Sequence, residues 1–166
     1  MNLFILLILI AVQSFGVFSA TEARIKRNDL QILTGAQWSG TLTYLDYRSR
    51  KPVSIPVNLS VKPNAGDDRS WVFTYNYPDE PHANSEEILR LSKDGRSING
   101  EVVLERTDLR DNTIRVVTEK KGEDDNRSAS IRYTYLLNVS SFSITKEVRY
   151  EGDDKYFERN FYRWKR

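Results

Sequence analysis

One lysine interrupts an otherwise dry row of side chains, and chemistry in this chain begins there. Along Ala129 to Tyr150, alternate positions carry Ile131, Tyr133, Tyr135, Leu137, Val139, Phe142, Ile144, Val148 and Tyr150, with Lys146 as the exception. An ammonium among apolar neighbours loses hydration unless it finds a partner, so it is a natural handle for an anionic group on a ligand. Its four-carbon stem also lets it snorkel to an opening, which is the plainer use of a lysine there. Tyrosine is the second feature. Of the nine tyrosines, Tyr75, Tyr77, Tyr133, Tyr135 and Tyr150 fall on dry rows. Each combines ring area with a hydroxyl, as the walls of cavities for amphiphilic molecules do, although core packing with a hydroxyl at the rim uses the same residue type. Lys146, Tyr135, Tyr133, Tyr75 and Tyr77 form the candidate ligand-binding set.

Other chemistry has little to build on. The chain has no cysteine and a single histidine, His82, in the loop Pro78 to Asn84. A Ser-His-Asp or Cys-His nucleophile system therefore lacks its parts, and a metal site needs more ligands than one histidine supplies. The acidic residues cluster in Asp67-Asp68, Glu123-Asp124-Asp125 and Asp153-Asp154, where solvated loop carboxylates are expected. No catalytic residue, metal or cofactor is assigned. A pair of carboxylates, or a carboxylate acting with a tyrosine, are the enzymatic routes left open. With 25 basic and 23 acidic residues interspersed, the net charge is +2, which gives no electrostatic support for nucleic-acid binding.

Strands must position these side chains. The dry row and the polar row opposite it (Ser130, Arg132, Thr134, Asn138, Ser143, Thr145, Glu147, Arg149) have period two, the pattern of a sheet curled over a core. A two-residue connection at Ser140-Ser141 sets Val139 opposite Phe142, Tyr135 opposite Lys146 and Ile131 opposite Tyr150. Further strands are read over Trp38 to Tyr47, Val53 to Lys62, Trp71 to Tyr77, Glu86 to Ser92, Ser97 to Glu105, Thr113 to Lys120 and Tyr156 to Trp164. Pro56 lacks a ladder donor and belongs at an edge or a bulge. Lys121 to Asn126 reads as a charged turn, and the two prolines around Glu80 make a stiff corner or lid. Asn28 or Asp29 caps a short helix over Leu30 to Leu33, stopped by Gly35. Strands joined by short turns with no long helix between them pair as antiparallel neighbours, and closing the series removes its edges. The expected fold is all-β: an antiparallel up-and-down meander of about 8–10 strands closed into a barrel, after a short N-terminal helix.

Before this comes an apolar run, Leu3 to Val12, followed by small residues at Ser19 and Ala20. It reads as a signal peptide over residues 1–20, cleaved near Ser19 or Ala20, with a retained N-terminal membrane anchor as the alternative; cleavage implies a secreted or periplasmic protein with no stable membrane insertion. Residues 21–36 form the N-terminal segment and 37–166 one barrel domain. A single core of that size supports a monomer without disulfides.

An export signal, a short helix, a Gly then Trp opening the first strand (Gly35-Ala36-Gln37-Trp38), an up-and-down strand series and an Arg on the last strand together resemble the calycins, the superfamily of lipocalins, fatty-acid-binding proteins and avidins. The spacing is one residue longer than the usual Gly-x-Trp, and no Thr-Asp-Tyr motif or C-terminal helix follows. The resemblance implies a lipocalin-like barrel with a cavity open at one end, in which Trp38 crosses the closed end and Arg163 packs over it. It implies binding rather than catalysis: a small apolar or amphiphilic ligand, with an anionic group as one option. The alternative is a structural or protein-interaction module whose barrel is filled by its own side chains. A barrel enzyme using tyrosine and a carboxylate ranks third.

Overall fold

The computed structural model describes residues 23–46, 49 and 51–166. The segment read as a signal peptide, and Tyr47 at the expected end of the first strand, lie outside the described residues. One sheet holds ten antiparallel strands: β1 (Gln37–Leu45), β2 (Pro52–Pro63), β3 (Ser70–Asn76), β4 (Ser85–Arg90), β5 (Ser97–Ile98), β6 (Glu101–Asp108), β7 (Ile114–Asp124), β8 (Arg127–Leu137), β9 (Ser141–Tyr150) and β10 (Phe157–Lys165). The order β4-β3-β2-β1-β10-β9-β8-β7-β6-β5 is a meander in which β1 also pairs with β10. The two outermost strands are brought together at one end by a bridge from Leu91 to Ile98. The barrel is nearly closed, and its seam lies between β4 and β6.

Period two accounts for most of this. On β2, Val57, Leu59 and Val61 are buried while Ser54 and Lys62 are exposed. Pro56 faces Thr41 of β1, but β3 pairs with β2 only from Asn58 to Pro63. The residue without a ladder N–H therefore sits where one side of β2 has no neighbour, as its chemistry requires.

Three expectations are corrected by local turn geometry. The β8–β9 turn takes Asn138 to Ser140, because the Asn138 side chain accepts the Ser140 N–H at 2.9 Å and the Asn138 N–H reaches the Ser141 carbonyl at 3.0 Å. The register thus slips by two: Leu137 faces Phe142, Tyr135 faces Ile144, Tyr133 faces Lys146 and Ala129 faces Tyr150. A slip of two keeps every side chain on its expected face. Val139, released from the ladder, is 55% exposed. The strand expected over Ser97 to Glu105 is broken by Asn99 and Gly100, both at positive φ, which separates β5 from β6. The charged turn is only Asp125-Asn126, with φ of 50° and 57°, the left-handed pair that a tight hairpin demands. β7 therefore runs on to Asp124 and turns that carboxylate inward.

The helix, α1 (Arg27–Gln31), starts earlier than expected, and Asp29 lies inside it rather than capping it. Its carboxylate accepts the Lys26 N–H at 2.8 Å and takes two bonds from Arg106 of β6, at 2.7 and 2.9 Å. Leu30 and Leu33 are buried, and the Trp38 indole donates to the Leu33 carbonyl at 2.9 Å. The N-terminal segment thereby stoppers one end of the barrel. The cation over Trp38 is not Arg163 but Arg166, 4.8 Å from the ring. Period two explains the correction: Trp164 is buried, so Arg163 turns outward over Phe161, while Arg166 shares the parity of Trp164.

Gly40 is the tightest point in the wall. A Cβ there would overlap the Arg163 carbonyl oxygen of β10, which is backbone and cannot swing away. Gly40→Ala is expected to lower stability by at least about 2 kcal/mol, roughly 5 °C in Tm, whereas the exposed neighbour Ser39→Ala stays within about 0.5 kcal/mol. Thermal unfolding followed by circular dichroism measures both.

Candidate functional site

Ring packing and a recess mark different parts of the barrel. Near α1, aromatic rings fill the barrel. Trp164 stacks between Phe142 and Tyr162, with centroids at 5.2 and 5.1 Å, and its indole donates to the Val57 carbonyl at 3.1 Å. Phe142 meets Trp38 and Phe73 edge-on, each at 6.3 Å. Above this plug lies a recess of about 390 Å³, within the range that holds small molecules. Its floor is Phe73, Tyr75 and Tyr162, and Tyr133, Tyr135, Ile144 and Lys146 form the wall from β8 and β9. Glu87 and Ser85 of β4 face Glu101 and Lys120 of β6 and β7 across the seam, so both sides of the unpaired gap line it.

Lys146, Tyr135, Tyr133, Tyr75 and Tyr77 all line this one recess. The structure adds what the sequence reading did not assign. Lys146 is bonded to Asp124 at 2.7 Å, with Lys146 and Asp124 side chains only 19% and 7% exposed. Arg159 reaches the other oxygen of Asp124 at 3.7 Å, and the Tyr150 hydroxyl donates to it at 3.3 Å. Glu101, 4% exposed, accepts from Thr118 at 2.8 Å and from Lys120 at 3.0 Å. Two inward lysines are thus matched by two buried carboxylates. Along the sequence neither acid stands out, since Asp124 lies in a charged run and Glu101 follows Asn99-Gly100. Parity is the signal that finds both: Asp124 and Lys120 share a face of β7, and Val103, buried, shares one with Glu101.

Tyr77 and Tyr162 join hydroxyls at 3.1 Å where the recess meets a second, outer one of about 310 Å³, which shares Tyr77, Lys146 and Asn160. Glu80, Ala83 and Arg159 line the outer recess, so the proline-flanked corner borders the mouth. His82 is exposed there in the 3₁₀ turn Pro81–Ala83. No group of three metal-ligating side chains occurs among the described residues.

Burial sets what the tyrosines can do. Desolvation pushes Tyr133 up to about 12 and raises Tyr75, Tyr135 and Tyr162 well above the ordinary phenol value. They are held as neutral hydroxyls, suited to hydrogen bonding and ring stacking and poor as bases.

Two outcomes follow. Between about pH 10 and pH 12 an unfolded tyrosine ionises while these stay protonated, so the folded chain binds more protons and stability falls as pH rises through that window. In a spectrophotometric titration of the native protein, at least four of the nine tyrosines should remain protonated at about pH 11 and ionise together with unfolding. Lys146→Met takes the nearest cation from a buried carboxylate and should cost about 2 kcal/mol in urea unfolding. In the double variant with Asp124→Leu the two costs should fall short of additivity by about 1–2 kcal/mol.

The sequence matches no family model and no curated protein. Among solved structures, the crystal structure of Rv2717c from M. tuberculosis aligns with a TM-score of 0.54 at 13% identity, over 83% of this chain and 96% of that chain. That likeness is one of fold.

Proposed function

We propose that this is an exported binding protein that holds a small amphiphilic molecule in the upper half of a lipocalin-like barrel. The observation that carries the reading is the 390 Å³ recess above the aromatic plug, faced by five tyrosines and open along the seam between β4 and β6. Rings give a ligand apolar contact, and neutral hydroxyls give it orientation without fixing a charge. The apolar run from Leu3 and the small residues at Ser19 and Ala20 support export. A stopper at one end, with Trp38 crossing it beneath an arginine, supports kinship in plan with the calycins, with Arg166 in the place expected for Arg163.

Native mass spectrometry of protein purified without denaturant tests this. A fraction should carry a small-molecule mass excess that collisional activation removes, and Ile144→Trp, which drives an indole into the recess, should abolish it. A bare polypeptide mass in repeated preparations, together with no saturable binding of any added amphiphile, would overturn the reading.

A further inference from the structure

Lysine in the dry row suggested an anionic ligand, but the charge pairing around the recess points the other way. Every cation lining the two recesses already has a carboxylate within reach: Lys120 has Glu101 at 3.0 Å, Lys146 has Asp124 at 2.7 Å and Arg159 has Asp124 at 3.7 Å. These pairs are built in, since both acids are buried. Pulling a lysine toward an incoming anion would take the nearest cation from a buried carboxylate, an unfavourable exchange. Two carboxylates are in the opposite position. Glu87 lines the inner recess and Glu80 the outer one, and among the described residues neither has a cation or hydrogen-bond donor bound to its side chain. Glu87 stands on the inward row of β4, opposite Phe73 and two residues from buried Leu89. Its field reaches the rings around it, for its charge contributes to raising Tyr75, Tyr77, Tyr133 and Tyr162.

A recess lined by five tyrosines, bordered by carboxylates that have no bound cation among the described residues, suits an organic ammonium. We propose that the recess selects a cationic amphiphile, an alkyl- or arylammonium, whose charged end lies toward Glu87 at the seam and whose apolar body lies against Tyr75, Tyr133, Tyr135 and Tyr162. This rests on the reading of the recess as a ligand site and specifies its chemistry. Lys146 then acts as a fixed part of the wall rather than as the ligand's counter-ion.

Three probes of equal chain length separate the two claims: decyltrimethylammonium, decanol and decanoate, titrated calorimetrically into the mature protein near neutral pH. The expected order places the ammonium about tenfold or more tighter than decanoate, with decanol between. Glu87→Gln, an exposed edge-strand substitution that leaves the core intact, should weaken the ammonium at least fivefold and leave decanol within twofold. Decanoate binding as tightly as the ammonium, or an ammonium affinity indifferent to Glu87→Gln, overturns the proposal while leaving the ligand site standing. Failure of all three probes to bind overturns the ligand site, and the proposal with it.

Discussion

Trp164 is held by ring contacts and one buried hydrogen bond, and the rest of the barrel is arranged around them. Its ring lies between Phe142 on β9 and Tyr162 on its own strand, and its indole N–H ends on the Val57 carbonyl of β2. Strands β2, β9 and β10 are thereby pinned to one aromatic centre, with Trp38 and Phe73 packed edge-on against Phe142. Burying an aromatic side chain of 150–250 Å² contributes about 4–6 kcal/mol as an upper estimate. The paired charges higher in the barrel contribute far less individually, because desolvation offsets most of their attraction. Stability is therefore concentrated below, in the plug.

Concentrating the large rings at one end leaves the other end underfilled. Tyrosine is suited to that boundary, since its ring packs with the plug while its hydroxyl can hydrogen-bond, as Tyr77 and Tyr162 do to each other. The seam sits at the same level. β5 has only two residues, so the edge of β6 away from β7 has a partner over Ser97 and Ile98 and then runs on without one. The break that shortens β5 is itself a local matter, two consecutive residues at positive φ. A turn preference at Asn99-Gly100 thus sets where the barrel wall stays open.

Much of the fold was legible because period two is a property of the chain. The alternation in β2, β8 and β9 specifies which face is buried whatever the register, which is why a slip of two residues changed the partners of Lys146 without changing its environment. The carboxylates were harder to read. Asp124 sits in a run of charged residues, and its inward facing depends on the turn being two residues long rather than six. Glu101 owes its place to the break before it. The arginine over Trp38 shows the same limit from the other side: the resemblance to the calycins pointed to a late arginine, and only strand parity separates Arg166 from Arg163. Pairing across strands, which decides whether a lysine is free or neutralised, cannot be read along one strand.

The half-filled barrel is tested most directly by forcing the same extra ring into each half and comparing the unfolding free energies. Val57→Phe places a ring against Trp164, where overpacking costs typically 1–3 kcal/mol, and should lose at least about 2 kcal/mol. Ile144→Phe places it beside the 390 Å³ recess and should lose less than about 1 kcal/mol. Equal losses at both positions would mean that the interior is filled throughout, and would contradict the account.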